Sequence, residues 1–330
     1  MDTDWWTVQT LIHLAHAEIF NGSSQRAMEM LQDALRLARR SDIRSGEAET
    51  LRQMSFVAEQ MGQAVEGERL AREAVAMTTD QTQQQPALGR LAFVLLSTGK
   101  FEESIAISRA SVEWARTFGS HPRHLAFTYC TLARGLLDVG QFAEGKATAI
   151  QGLQCWKDTY GWEQPFVLRA VAMGALALGD VAEARRLIHQ TLESQQQMGN
   201  GNLFALSGAY IDCCYPALAL NRQSEVRELL LEGLDMARRA ESFAYEGVGY
   251  PAAALWLAKE GRLLEAAFVN GAIQNLPRLT GSRWYAKAAL DSLAGRLASL
   301  STDMRSTAET QGRTLELPKM TGEVLALLGK

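Results

Sequence analysis

The side chains best suited to chemistry are few and thinly spread. His13 and His16 stand three residues apart in what reads as a first helix, a spacing that can turn two imidazoles toward one metal ion. No third histidine or suitably placed carboxylate completes the set, because Glu18 falls on another face, so the pair reads as helix surface with one partly buried histidine. His121 and His124 flank Pro122 in a connecting segment and His189 stands alone, and the same reading applies to them. Cys130, Cys155, Cys213 and Cys214 lie in apolar helical stretches without the Cys-x-x-Cys spacing of a zinc site, which makes them small buried residues of a reducing compartment. Serine and acidic residues form neither a nucleophile elbow nor a carboxylate pair of the kind hydrolysis needs. Basic pairs at Arg39-Arg40, Arg185-Arg186 and Arg238-Arg239 recur in second helices, where positive charge near the C-terminal end suits the helix dipole. No catalytic residue, cofactor site or metal site is expected.

The elements that would position any site are set by a repeat. A turn residue follows an apolar helical stretch at Gly22, Gly62, Gly99, Gly140, Gly179, Asn221 and Gly261, at intervals of 40, 37, 41, 39, 42 and 40 residues. Seven positions before it the residue is small: Ala15, Ser55, Ala92, Ala133, Ala172, Cys214 and Ala254. One position earlier come Leu14, Met54, Leu91, Leu132, Val171, Cys213 and Ala253. Four before the small residue come Leu11, Leu51, Leu88, Tyr129, Leu168, Tyr210 and Tyr250, so each stretch carries the i, i+3, i+4 face of a helix. Beyond the turn a second amphipathic segment begins, with Phe101, Phe142, Val181 or Leu263 two positions on, placed to pack back between the helices. Strand patterns are almost absent. Pro86, Pro122, Pro165, Pro251 and Pro277 fall near predicted helix ends, and longer connections are predicted at Thr78–Gln85, Gly119–His124, Thr159–Gln164 and Gly199–Asn202, with Gln81 to Gln85 read as loop. Such hairpins cannot bury their own apolar faces, so about seven of them are expected to stack into one all-α solenoid domain.

The stretch Leu88-Gly-Arg-Leu-Ala-Phe-Val-Leu-Leu-Ser-Thr-Gly-Lys-Phe-Glu-Glu-Ser resembles the tetratricopeptide repeat. The likeness spans roughly residues 7 to 275, with repeats longer than usual and departures such as Asn221 for the turn glycine and Gly145 or Val226 for the small alanine of the second helix. Elongated repeats of this kind look like those of large bacterial signal-transduction ATPases and LuxR-type regulators. The ending Ala308-Glu-Thr-Gln-Gly-Arg-Thr-Leu-Glu-Leu, followed by a short apolar helix, is similar to the terminus of those regulators.

The resemblance implies a right-handed superhelix of tetratricopeptide-like repeats over 1–275, with C-terminal capping helices over 276–330 continuous with it. It also implies a concave face lined by the first helices. On this chain that face comprises Ile12, His16 and Phe20; Arg52, Phe56 and Glu59; Phe93; Phe127, Arg134 and Asp138; Phe166, Arg169 and Met173; Ile211 and Tyr215. Aromatic and arginine side chains are the types that dominate binding hot spots.

The expected function is accordingly a non-catalytic interaction or sensor module, binding a peptide, partner domain or effector in bacterial signal transduction or transcriptional regulation. The alternative is an intramolecular clamp on a missing nucleotide-binding core, released by a small-molecule inducer. A hydrolase or metal enzyme on a helical scaffold is the third class. No phosphate loop and no DNA-reading helix-turn-helix is present.

Charge and hydropathy narrow the partners. The net charge is −4, with none of the basic excess of a nucleic-acid binder. No apolar run reaches the roughly 18 residues of a membrane span, and the start lacks the pattern of a signal peptide, so a cytoplasmic protein is expected. Trp5 and Trp6 at the first helix, with no polar capping helix before it, suggest either a homodimer contact through the N-terminal edge or the cut edge of a longer array.

Overall fold

The computed structural model describes residues 3–78, 81–155, 164–197 and 203–329, without the side chains of residues 20, 81–83 and 164. Every regular element among the described residues is helical. Seven hairpins follow one another: α1 (Thr3–Phe20) with α2 (Ser24–Arg40), α3 (Arg44–Gln60) with α4 (Ala64–Met77), and α5 (Gln81–Ser97) with α6 (Phe101–Phe118). Next come α7 (Pro122–Asp138) with α8 (Phe142–Gln154), α9 (Gln164–Ala177) with α10 (Val181–Gln197), α11 (Leu203–Ala219) with α12 (Gln223–Arg239), and α13 (Phe243–Lys259) with α14 (Leu263–Ile273). Two short helices, α15 (Pro277–Gly281) and α16 (Arg283–Tyr285), lead through a π turn at Ala286–Leu290 into α17 (Asp291–Leu297), followed by α18 (Thr302–Arg313) and α19 (Leu317–Gly329).

The turn chemistry explains the hairpins. All seven turn residues have positive φ, from 54° at Asn221 to 90° at Gly179, a conformation that penalises a side chain. In each hairpin the residue after the turn residue donates its amide to the carbonyl five before it, at 2.8–3.0 Å, which closes the first helix with a Schellman-type cap. None of the seven small residues is more than 1% exposed. The facing position of the second helix is small as well in every hairpin but the sixth, which has Val226; Ser104 donates its hydroxyl to the Ala92 carbonyl at 2.6 Å, and Gly145 lies over the Ala133 carbonyl. Small residues on both sides let the two backbones approach and bury their apolar faces.

Several local expectations change. Gln81 to Gln85 are not loop but open α5, in keeping with the good helix propensity of glutamine. Pro86 and Pro251 lie inside α5 and α13 instead of at their ends. Packing outweighs the lost backbone bond in α13, where nearly every residue from Tyr245 to Ala258 is buried. The connections at 159–163 and 199–202 fall outside the described residues. Leu14 is 48% exposed whereas its equivalents in later repeats are buried; α1 packs chiefly on α2 and less on α3. Trp5 and Trp6 stand on the same helix, edge to face at 4.7 Å and partly open to solvent.

The array closes on itself. The Gly22 turn lies against the backbone of Arg239 and Ala240, Gly62 meets Phe243 and Leu317, and Gly99 meets Pro277. Ser242 Oγ donates to Gln60 Oε1 at 2.8 Å, both side chains buried. From Leu276 onward the chain runs as a strap over the inner face, touching α5, α7, α9, α11 and α13. Phe101, expected between its own helices, meets the strap at Gly281, and Phe142 stacks under Lys287 at 5.1 Å. The accessible surface is 14040 Å² for 36.3 kDa. A compact globular monomer of this mass exposes about 13,400 Å², so the winding buries nearly as much as a globule does.

Candidate functional site

The first helices of the hairpins turn toward a common interior, and there they line a partly open cavity of about 270 Å³. One register supplies much of the wall. Six positions before the turn residue stand His16, Phe56, Phe93 and Arg134, on α1, α3, α5 and α7, and all four line the cavity. The same register continues with Met173 and Tyr215, but there the strap fills the inner face: Trp284 Nε1 donates to the Met173 carbonyl at 2.9 Å, and its ring meets Tyr215 at 5.0 Å. The chain therefore covers one half of its concave face with its own aromatic residues and leaves the other half as a cavity.

Of the remaining sequence-derived candidates, Arg52, Glu59, Phe127 and Phe166 also line the cavity. Arg169 sits behind it in a small secondary void with Met173. Asp138 is buried beneath the strap, and Ile12 and Ile211 belong to the helix-packing core. The side chain of Phe20 lies outside the described residues.

Aromatic rings form the walls. Phe93 and Phe127 stack at 5.5 Å, Phe204 meets Phe56 at 5.9 Å edge to face, and Phe204 lies 4.8 Å from Tyr245. The guanidinium of Arg90 sits between Phe56 and Phe93, 5.3 and 5.2 Å from their centroids.

The inner arginines mostly carry their own carboxylates. Arg52 holds Glu49 through two hydrogen bonds of 2.8 and 2.5 Å, Arg90 pairs with Glu59, and Arg169 donates to Asp212 at 2.5 Å and to Tyr245 Oη at 3.0 Å. Arg278 of the strap reaches Asp138 at 3.3 Å, and Ser282 donates to the same carboxylate at 2.5 Å. Burial pulls on Arg52, Arg169 and Arg278, but their carboxylates more than offset it and hold all three cations above arginine's ordinary range. Arg134 goes the other way: burial, then repulsion from Arg278, push it down.

His16 and His124 are both pushed down to about 4, by burial first and then by the charge of Arg52, so the cavity holds two neutral imidazoles at neutral pH. Burial raises the thiols of Cys130, Cys213 and Cys214, which leaves them poor nucleophiles. Among the described residues no group of three metal-ligating side chains forms, and no helix is long and apolar enough to cross a membrane.

No family model and no curated protein matches the sequence. Solved structures do match its fold. A Rap protein complexed with Competence and Sporulation Factor superposes with a TM-score of 0.57 at 11% identity, covering 92% of this chain and 99% of that one. The apo form of RapI gives 0.57 at 10% identity, over 87% and 99%. A signal transduction ATPase with numerous domains and a tetratricopeptide repeat sensor, from Pyrococcus horikoshii, gives 0.52 at 12% identity over 97% of this chain and 50% of that one. The fold is a tetratricopeptide-like solenoid.

Several wall residues of this solenoid escape the sequence reading. Gln85, Arg90, Arg123 and His124 come from first helices but stand off the register carried over from the repeat family. Their signal was type, since Arg90 and Arg123 repeat the arginine and phenylalanine mixture of their neighbours. Phe204, Phe243, Tyr245, Leu276, Arg278 and Leu317 come from late hairpins and the strap, and only the closure of the winding brings them opposite α3 and α5.

Proposed function

We propose that this chain is a non-catalytic sensor and interaction module whose inner cavity receives a small effector or the end of a partner segment. The observation that carries this reading is the make-up of the wall. His16, Arg52 and Phe93 come from the first three hairpins, whereas Phe243, Leu276 and Leu317 come from the last hairpin, the strap and α19. An occupant touches both ends of the array at once, so binding biases how they close, and a differential contact of that kind is what a sensor requires. The aromatic walls with a few polar groups are the chemistry of a ligand pocket, although 270 Å³ lies just below the roughly 300 Å³ at which small-molecule sites usually begin. The neighbours lend support, one being a Rap protein in complex with a factor and another carrying its repeats as a sensor.

Gly89 provides the test. It lines the cavity on α5, and a Cβ there meets only ordinary contacts with Phe127 and Thr128. Gly89→Leu should occupy the space while improving helix propensity. In native mass spectrometry of the full chain isolated from its own cells, the wild type should carry a bound mass and the variant at least tenfold less, with unchanged helical content. Equal occupancy in both would remove the cavity as the site.

A second reading is favoured by one observation, that nearly all of this chain matches half of a multidomain ATPase. In that case the same cavity serves an inducer, and the module restrains a nucleotide-binding core.

A further inference from the structure

We infer that the cavity is built for an organic anion with an apolar body, and that Arg134 is the residue that receives the charge. The inference rests on the ligand-binding reading above and specifies its chemistry. Arg134 makes no hydrogen bond and no ion pair with any described residue, and its Nε is shut off from solvent without a protein acceptor. Arginine cannot shed its proton to escape that situation, and a buried cation with no counter-charge is among the costlier groups a fold can hold.

The reason it lacks a partner is visible in the sequence of its own helix. Asp138 lies four residues on, the spacing at which an arginine and a carboxylate on one helix ordinarily pair. That carboxylate is instead taken from the other side by Arg278 and Ser282 of the strap. Docking of the strap thus withdraws the natural counter-ion from Arg134 and sets a second guanidinium beside it. What remains is a cation facing a cavity, with its plane over Phe93 at 5.3 Å. That stacking supplies attraction but satisfies none of the guanidinium's N–H donors. Gln85, also in the wall, has a buried Nε2 with no protein acceptor. Two residues with donors that no protein acceptor takes up therefore belong to the wall of one aromatic space, and a carboxylate carried on a ring-sized apolar group answers the unpaired charge and the apolar wall together.

The shared chemistry has two sources, a free organic acid and the carboxylate end of a short peptide. Calorimetric titration of the full chain with 3-phenylpropionate and with its neutral amide, and with a tripeptide ending in phenylalanine as free acid and as amide, separates them. At least one acid should bind about tenfold or more tighter than its amide, with the preference lost in Arg134→Met; which acid does so names the source. Ligand-free thermal unfolding gives an independent reading. If Arg134 is kept for a ligand, Arg134→Met should melt about 2 °C or more higher, because an unpaired buried charge has been removed. A structural arginine would make the variant melt lower. Acids and amides binding alike would overturn the anion assignment and leave the cavity reading in place. A lower melting point for the variant, or no binding by any of the four probes, would overturn the role of Arg134.

Discussion

Glu246 shows how one buried side chain ties stability to pH. It is wholly buried on α13, accepts a hydrogen bond from Thr321 of α19, and has a second carboxylate oxygen with no protein partner. Tyr250 completes the cluster, 2.7 Å from Thr321. Burial raises the Glu246 carboxyl from 4.5 to about 7, against the weaker pull of Thr321 and Arg238. The folded state therefore holds a proton that the unfolded chain releases near 4.5. The stabilising contribution is full below pH 4.5 and is lost as pH rises toward 7, a change of about 3 kcal/mol by linkage. Glu246→Gln should abolish that decline, with urea midpoints matching wild type near pH 4.5 and exceeding it at pH 8. A variant that tracks wild type at both would show that the carboxyl is not protonated in the fold. Sequence reasoning could not single out Glu246, because nothing local distinguishes it from other helix acids. Its burial comes from α19, 75 residues away. Arg134 was legible as a concave-face residue from its register, but its missing counter-ion was not, since that depends on Arg278 crossing from the strap.

At the scale of elements, the contact of α14 with α18 gives the C-terminal motif a physical cause. The helices cross backbone to backbone at Gly271 and Gly312. A Cβ on Gly271 would lie 2.0 Å from the Glu309 carbonyl oxygen, and one on Gly312 would lie 1.8 Å from that of Phe268. Neither neighbour is a side chain that can swing aside. Gly312→Ala, which raises helix propensity in isolation, should nevertheless destabilise the fold by about 2–3 kcal/mol and speed amide exchange in α18 relative to α7. Wild-type exchange in α18 would show that the crossing is looser than the structure has it. The glycine of the Gly-Arg ending was readable from its resemblance to regulator termini, and the structure supplies the reason for a glycine there. The seven hairpins were equally legible, because turn glycines and small packing residues act within about forty residues. The helical start of α5 was not, since four glutamines and Thr82 over residues 81–85 carry no apolar periodicity.

For the whole molecule, the decisive feature is that the winding closes. Simple repeat arrays have only nearest-neighbour contacts and stability that propagates along the array. Here the first three hairpin turns rest on α12, α13, the strap and α19, so the two ends stabilise each other. No local sequence signal announces these contacts, because they join residues 178 to 255 positions apart and involve ordinary serine, glutamine and glycine. The cavity wall is shared between the two ends, which makes closure the premise of the functional account. Small-angle scattering of the full chain in dilute solution tests it most directly. A closed winding predicts a radius of gyration of about 20 Å, the value for a compact chain of this length, with a pair-distance distribution that falls off smoothly. A radius well above that value with a long tail would mean that the ends stand apart, and the cavity with its candidate ligand site would not exist.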